Sequence, residues 1–146
     1  TNDVPEDYYS IPIGLGKIIN EGKDLTIISY GQAVHWVSDI SLEYEKQGIK
    51  IEIIDLRSLV PWDKGLIEES IKKTNKALIV HEANLSGGVG AEIAAYISEF
   101  FFESLDAPVI RVASLDTPVP FSKNIERDIY LPLSRIKDKI NYLLDY

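Results

Sequence analysis

The 146-residue sequence contains no cysteine and no methionine. The first absence excludes disulfides and thiol chemistry, and it leads us to expect a cytoplasmic protein. The second means that Thr1 is not a translational start, so the chain reads as a mature product or as a piece cut from a longer polypeptide. No apolar run approaches the roughly 20 residues of a membrane-spanning helix, and no charged-then-apolar leader is visible. A membrane is therefore not an expected partner. Basic residues are in the minority: 15 Lys and Arg against 23 Asp and Glu leave a net charge of −8. They are scattered and form no stripe, which argues against nucleic acid as a partner. The acidity either keeps the domain soluble or suits a basic protein partner. Internal repeats and low-complexity segments are missing too. What is present is one domain's length of chain with an ordinary 45% hydrophobic content, enough for a single sizeable core.

The most informative stretch is KALIVHEANLSGGVGAEIAAYISEFFF, residues 76–102. Leu78-Ile79-Val80 is a short apolar β-favouring run, as expected of a strand covered on both faces. Gly87, Gly88 and Gly90 permit a tight turn and a close backbone approach. Val89, Ile93, Ile97 and Phe100 then recur at helical spacing, predicting a helix over 89–102 with that stripe buried. Phe101 and Phe102 fall outside the stripe. Ala91, Ala94, Ala95 and Ser98 form a band of small residues. A helix apolar nearly all round is either a covered subunit interface or a central helix beneath the C-terminal segment.

Around this unit the chain alternates strands and helices. Residues 1–10 read as a linker and 11–146 as the folded domain. Ile11 to Gly14 suggests an extended edge piece. Strands are predicted over 25–30, 49–56, 77–81 and 109–113. Helices are predicted from Ala33 to the stop at Gly48, from Pro61 through Ile71, over 89–102, and from Pro132 to the end. Asn124 to Tyr130 reads as irregular. This βαβαβαβ order with a closing helix predicts an α/β fold, three layers deep, built on a mostly parallel sheet.

Few residues are arranged for chemistry. Gly88 and Gly90 would need a third glycine at position 93 for a dinucleotide fingerprint, and Ile stands there. A Walker loop and a G-x-S-x-G elbow are missing. The glycines therefore read as a strand-to-helix turn, with anion binding at the helix mouth as the competing reading. His81 and Glu82 end their strand together, but neighbouring strand residues point to opposite faces. A capping or interface role is expected for His81 rather than catalysis. Asp55 and Arg57 leave the second strand together. Arg57 could clamp a carboxylate, or it could tie Asp55, Asp63 or Glu82 into an ion-pair network, the reading we favour. Asp55, Arg57, His81 and Glu82 are thus expected to form a structural cluster at the sheet edge.

Five ordered motifs carry a resemblance across the whole chain: VPEDYYSIPIGLGKIINEGKDLTIISYG, IDLRSLVPWD, VHEANLSGGVGAEIAA, LDAPVIRVASLDTPVPF and YLPLSRIKDKINYLLDY. Together they resemble the C-terminal domain of the beta subunit of thiamine diphosphate-dependent 2-oxo acid dehydrogenases, of the pyruvate and 2-oxoisovalerate types, with a transketolase C-terminal domain-like fold. The resemblance implies a parent enzyme that decarboxylates a 2-oxo acid and passes the acyl group to a lipoyl arm. It implies thiamine diphosphate and Mg2+ in that parent, held by a GDG…N motif of the alpha part that this sequence lacks. The activating glutamate and the substrate-side histidine of such enzymes belong to the preceding domain. The chain is therefore expected to hold no catalytic, cofactor-binding or metal residue of its own. The implied partners are the alpha part, a second beta part, and the basic subunit-binding domain of the lipoyl acyltransferase. By motif position, Asp106 of LDAP and Tyr146 are the implied docking residues; the helix pattern described above separately offers Ala91, Ala95, Phe101 and Phe102 as candidates for the subunit interface. A transketolase, a deoxyxylulose phosphate synthase or a pyruvate:ferredoxin-type enzyme would share this architecture. A free-standing anion- or nucleotide-binding module is the alternative from another class.

Overall fold

The computed structural model describes residues 6–146. The strands are β1 (Lys17–Asn20), β2 (Leu25–Ser29), β3 (Ile51–Asp55), β4 (Ala77–Asn84) and β5 (Ile110–Ser114). The helices are α1 (Gln32–Glu45), α2 (Lys64–Thr74), α3 (Val89–Phe100), a short α4 (Lys123–Ile125) and α5 (Leu133–Leu144). The strands form one sheet in the order β1-β3-β2-β4-β5. β1 runs antiparallel to β3, while the other neighbours are parallel. The expected three-layer α/β/α architecture is what forms.

Strand periodicity of two sends alternate residues to opposite layers. Leu25, Ile27, Ile51, Ile53, Leu78, Val80 and Val112 pack with Val37 and Tyr44 of α1 and with Ile136, Ile140 and Leu143 of α5. Ile28, Ile54 and Ile79 pack on the other face with Ile67 and Ile71 of α2 and with Ile93 and Ile97 of α3. Both faces are covered, which is why the strands read as near-continuous apolar runs.

Several boundaries differ from expectation for local reasons. The piece at 11–14 is not a strand; residues 6–13 are exposed, and the edge position goes to β1. The chain is then pinned as it enters the sheet, where the Gly14 N–H donates to Ser58 Oγ at 2.8 Å and the Gly16 N–H to Asp63 Oδ2 at 3.0 Å. Residues 1–5 of the expected linker lie outside the described residues. Pro61 does not open α2: Asp63 is its N-cap, accepting from the Leu66 N–H at 3.0 Å, and a carboxylate cap outcompetes an upstream proline as the start. Asn75, in the left-handed conformation at φ 57°, ends that helix. The segment 124–130 is not irregular but a helical turn continued by a wide turn over Glu126–Tyr130. The predicted stripe of α3 is corrected at its end. Phe101 is 8% exposed and completes the buried series Ile93, Ile97, Phe101, while Phe100 is 61% exposed. An interval of four after Ile97 keeps the side chain on the core face as the helix ends. Phe101 is therefore a core residue of this domain.

Candidate functional site

Parallel sheets place their binding crevice beyond the carboxyl ends of the strands, where the connections diverge to opposite sides. Here that point lies between β2 and β4. The chain's own side chains fill it: Tyr30 stacks on His81 with ring centroids 5.8 Å apart and planes 13° from parallel. His81 is fully buried, and with a proton on Nδ1 it donates to the Ala83 carbonyl at 3.0 Å. Nε2 is then an acceptor, and it has no partner among the described residues. Burial pushes the imidazole pKa down; the Ala83 carbonyl opposes this, and the charge of Arg111 adds to it.

The glycine turn closes on that ring. A Cβ at Gly88 would stand 2.7 Å from His81 Cε1, and one at Gly90 would overlap the imidazole. Gly87 supplies the left-handed φ of 75° that the turn requires. What the glycines approach so closely is therefore His81, and the helix starts directly over its ring. Glu92 in the first turn of α3 further opposes an anion there. These residues do not fit the diphosphate of thiamine diphosphate or a nucleotide. Among the described residues, His, Asp and Glu side chains nowhere gather in threes at metal-binding spacing.

The other sheet-edge candidates do not converge. Glu82 is exposed while its neighbour His81 is buried. Asp55 Oδ1 accepts from the backbone N–H of Arg57 at 3.0 Å, and Arg57 takes a left-handed φ of 57°. The exposed guanidinium of Arg57 forms no ion pair with Asp55, Asp63 or Glu82. The favoured network is thus corrected: Asp63 is already engaged as the cap of α2, and the short Asx turn satisfies Asp55 locally.

At the opposite, amino-terminal edge of the sheet, two distant candidates meet. Asp106 and Tyr146 line one groove of about 500 Å³ with Ser98, Phe102, Leu105 and Val109. The loop that carries Asp106 is held by the cap of α2. The Asp106 N–H donates to the Asn75 carbonyl at 2.8 Å, and Asn75 Nδ2 donates to the Ser104 carbonyl at 2.7 Å. Tyr146 is oriented by Tyr142, hydroxyl to hydroxyl at 3.0 Å with the rings edge to face. The groove therefore joins an acidic residue, whose backbone is held in place, to an apolar wall. On α3, Ala91 is half-buried and Ala95 exposed, and just past its end Phe102 is 75% exposed. A continuous unpartnered face thus runs from α3 into the groove.

Sequence reasoning missed a buried charge on the α2 side of the sheet. Glu52, 0% exposed in the middle of β3, is bound by Lys73 Nζ, by the Ser70 hydroxyl and by the Gly22 N–H. Thr26 Oγ1 extends the network to Ser70 Oγ and Thr74 Oγ1, each at 2.6 Å. Burial alone would push the Glu52 carboxyl up, but Lys73, Ser70 and Gly22 outweigh it and hold its pKa below the ordinary value. The one legible signal was a glutamate inside the apolar run of β3.

The profile described as "Transketolase, C-terminal domain" matches residues 14–136. The chain is 43% identical over 145 residues to the 2-oxoisovalerate dehydrogenase subunit beta 2, mitochondrial, of Arabidopsis thaliana, covering 96% of this chain and 40% of that protein. It is 36% identical over 143 residues to the pyruvate dehydrogenase E1 component subunit beta of Porphyra purpurea, covering 98% and 43%. The chain thus spans about two fifths of the length of these relatives. Its fold matches a solved structure titled "Split gene transketolase, inactive beta4 tetramer", with a TM-score of 0.81 at 24% identity, covering 97% of this chain and 47% of that one. By profile and fold together, the chain belongs to the transketolase C-terminal domain family.

Proposed function

We propose that this chain is the C-terminal assembly and docking domain of the beta part of a 2-oxo acid dehydrogenase. In that setting it works in the cytoplasm beside an alpha part and a second beta part, and presents a surface to the basic subunit-binding domain of a lipoyl acyltransferase. The decarboxylation and the transfer of the acyl group to lipoyl groups belong to the parent enzyme. Thiamine diphosphate with Mg2+ supplies the electron sink for that decarboxylation, on residues outside this chain. The similarity to beta subunits of two such enzymes over nearly the whole chain supports this reading.

The observation that carries it is the groove shared by Asp106 and Tyr146, 40 residues apart in sequence yet lining one concavity. A carboxylate beside an apolar wall on a domain of net charge −8 suits a small basic partner, first by steering and then by a desolvated charge pair. Asp106 lies in an exposed loop held by backbone hydrogen bonds, so its side chain is free for a partner. Surface plasmon resonance with an immobilised subunit-binding domain tests this. Asp106→Lys is expected to weaken binding by at least about tenfold while leaving the thermal melt unchanged. Unchanged affinity would remove Asp106 from the docking surface.

A further inference from the structure

Arg111 of β5 and Arg135 and Lys139 of α5 line one pocket of about 280 Å³, over a floor of Leu85, Val112 and Ala113. The pocket lies apart from the docking groove, with which it shares no lining residue. Two of its cations are fixed by carbonyls. Arg111 Nη1 donates to Leu85 O at 2.9 Å, and Arg135 Nη2 donates to Tyr130 O at 3.2 Å. Each bond occupies a single N–H of a guanidinium that carries five. Among the described residues, none of the three cations forms an ion pair. Asp138, the fourth charged group on the lining, leaves the pocket with an excess of positive charge. In a chain with 23 acidic and 15 basic residues, three cations without an ion pair around one concavity are unexpected from composition; Lys139 Nζ also lies over the Tyr142 ring, 5.5 Å from its centroid.

We propose that this pocket binds a small phosphate-bearing anion. One guanidinium fork satisfies a planar carboxylate; two forks and an ammonium, brought by a strand and a helix, suit the oxygens of a tetrahedral group. The apolar floor excludes water beneath the anion and strengthens those contacts. The surrounding acidity disfavours diffuse anion binding, so a response confined to this pocket identifies a built site. Free phosphate and a phosphate monoester share the chemistry, and the experiment separates them.

The test is a titration of the 15N-labelled chain at low ionic strength, first with inorganic phosphate and then with glycerol phosphate. Saturable amide shifts at Leu85, Val112 and Arg135 through Lys139, with millimolar affinity or better, are expected from at least one of the two. The tighter ligand identifies the source. Arg135→Gln is expected to weaken binding by about tenfold, and so is Lys139→Gln, which alters an exposed side chain with no role in the core. Sodium chloride at matched ionic strength is the control. Absence of saturable shifts with both anions overturns the proposal, as do shifts that chloride reproduces or that survive in both variants.

Discussion

The contact between Gly90 and His81 decides what the glycine turn is for. A methyl group at position 90 would overlap a fully buried imidazole that cannot swing into solvent. Gly90→Ala is therefore expected to destabilise the domain by about 1–3 kcal/mol, despite the roughly 1 kcal/mol that alanine gains in helix propensity. Urea denaturation measures it, and the same substitution in a His81→Ala background is expected to cost clearly less, because the ring it strikes is gone. Equal costs in both backgrounds would show that the turn does not pack on His81. The second decisive residue is Glu52. Its pKa lies below the unfolded value, so the unfolded chain binds its proton more readily and stability rises with pH through that range. This contribution is fully present above the ordinary carboxyl value of 4.5 and is lost as pH falls below it. Lys73→Met leaves the carboxylate without its cation. Because Lys73 is 40% exposed and water replaces part of the interaction, the expected cost is about 2 kcal/mol at neutral pH. The difference from wild type is expected to shrink in urea melts taken below that carboxyl value; a constant difference would contradict it.

Among the elements, α3 best separates what spacing reveals from what it hides. Its existence was plain from Val89, Ile93 and Ile97, but the last buried aromatic was misplaced by one residue. Phe100 and Phe101 each extend the stripe at an allowed interval, of three or of four, and only the packed partner chooses between them. Phe101→Ala is expected to cost about 3 kcal/mol and Phe102→Ala less than about 0.5 kcal/mol in thermal or urea melts. The reverse ranking would restore the reading of Phe101 as a surface residue. The central strands were legible for the same physical reason that makes them stable: burial on both faces leaves an unbroken apolar run. β1 was not, because an edge strand of four residues alternates only between exposed and half-buried positions. The start of α2 was shifted because the proline was more conspicuous than the carboxylate that caps the helix.

For the whole molecule, the α/β/α layering was readable from element order, but neither site was readable from spacing. Asp106 and Tyr146 were singled out only by resemblance to a family; their meeting in one groove depends on α5 running back to the amino-terminal edge of the sheet. Arg111, Arg135 and Lys139 looked scattered because a strand and a helix bring them together only in three dimensions. The Tyr30–His81 stack fills the crevice where an α/β sheet ordinarily binds its ligand, and a largely apolar groove lined by Asp106 opens at the opposite edge. On the proposed function, the molecule is held by neighbours and the cofactor is held elsewhere in the parent enzyme. Isothermal titration calorimetry on this chain tests that directly, by injecting thiamine diphosphate with Mg2+ and then a lipoyl acyltransferase subunit-binding domain. We expect no binding heat from the cofactor and a saturable heat from the basic domain that Asp106→Lys abolishes; micromolar cofactor binding with a silent second titration would contradict the account.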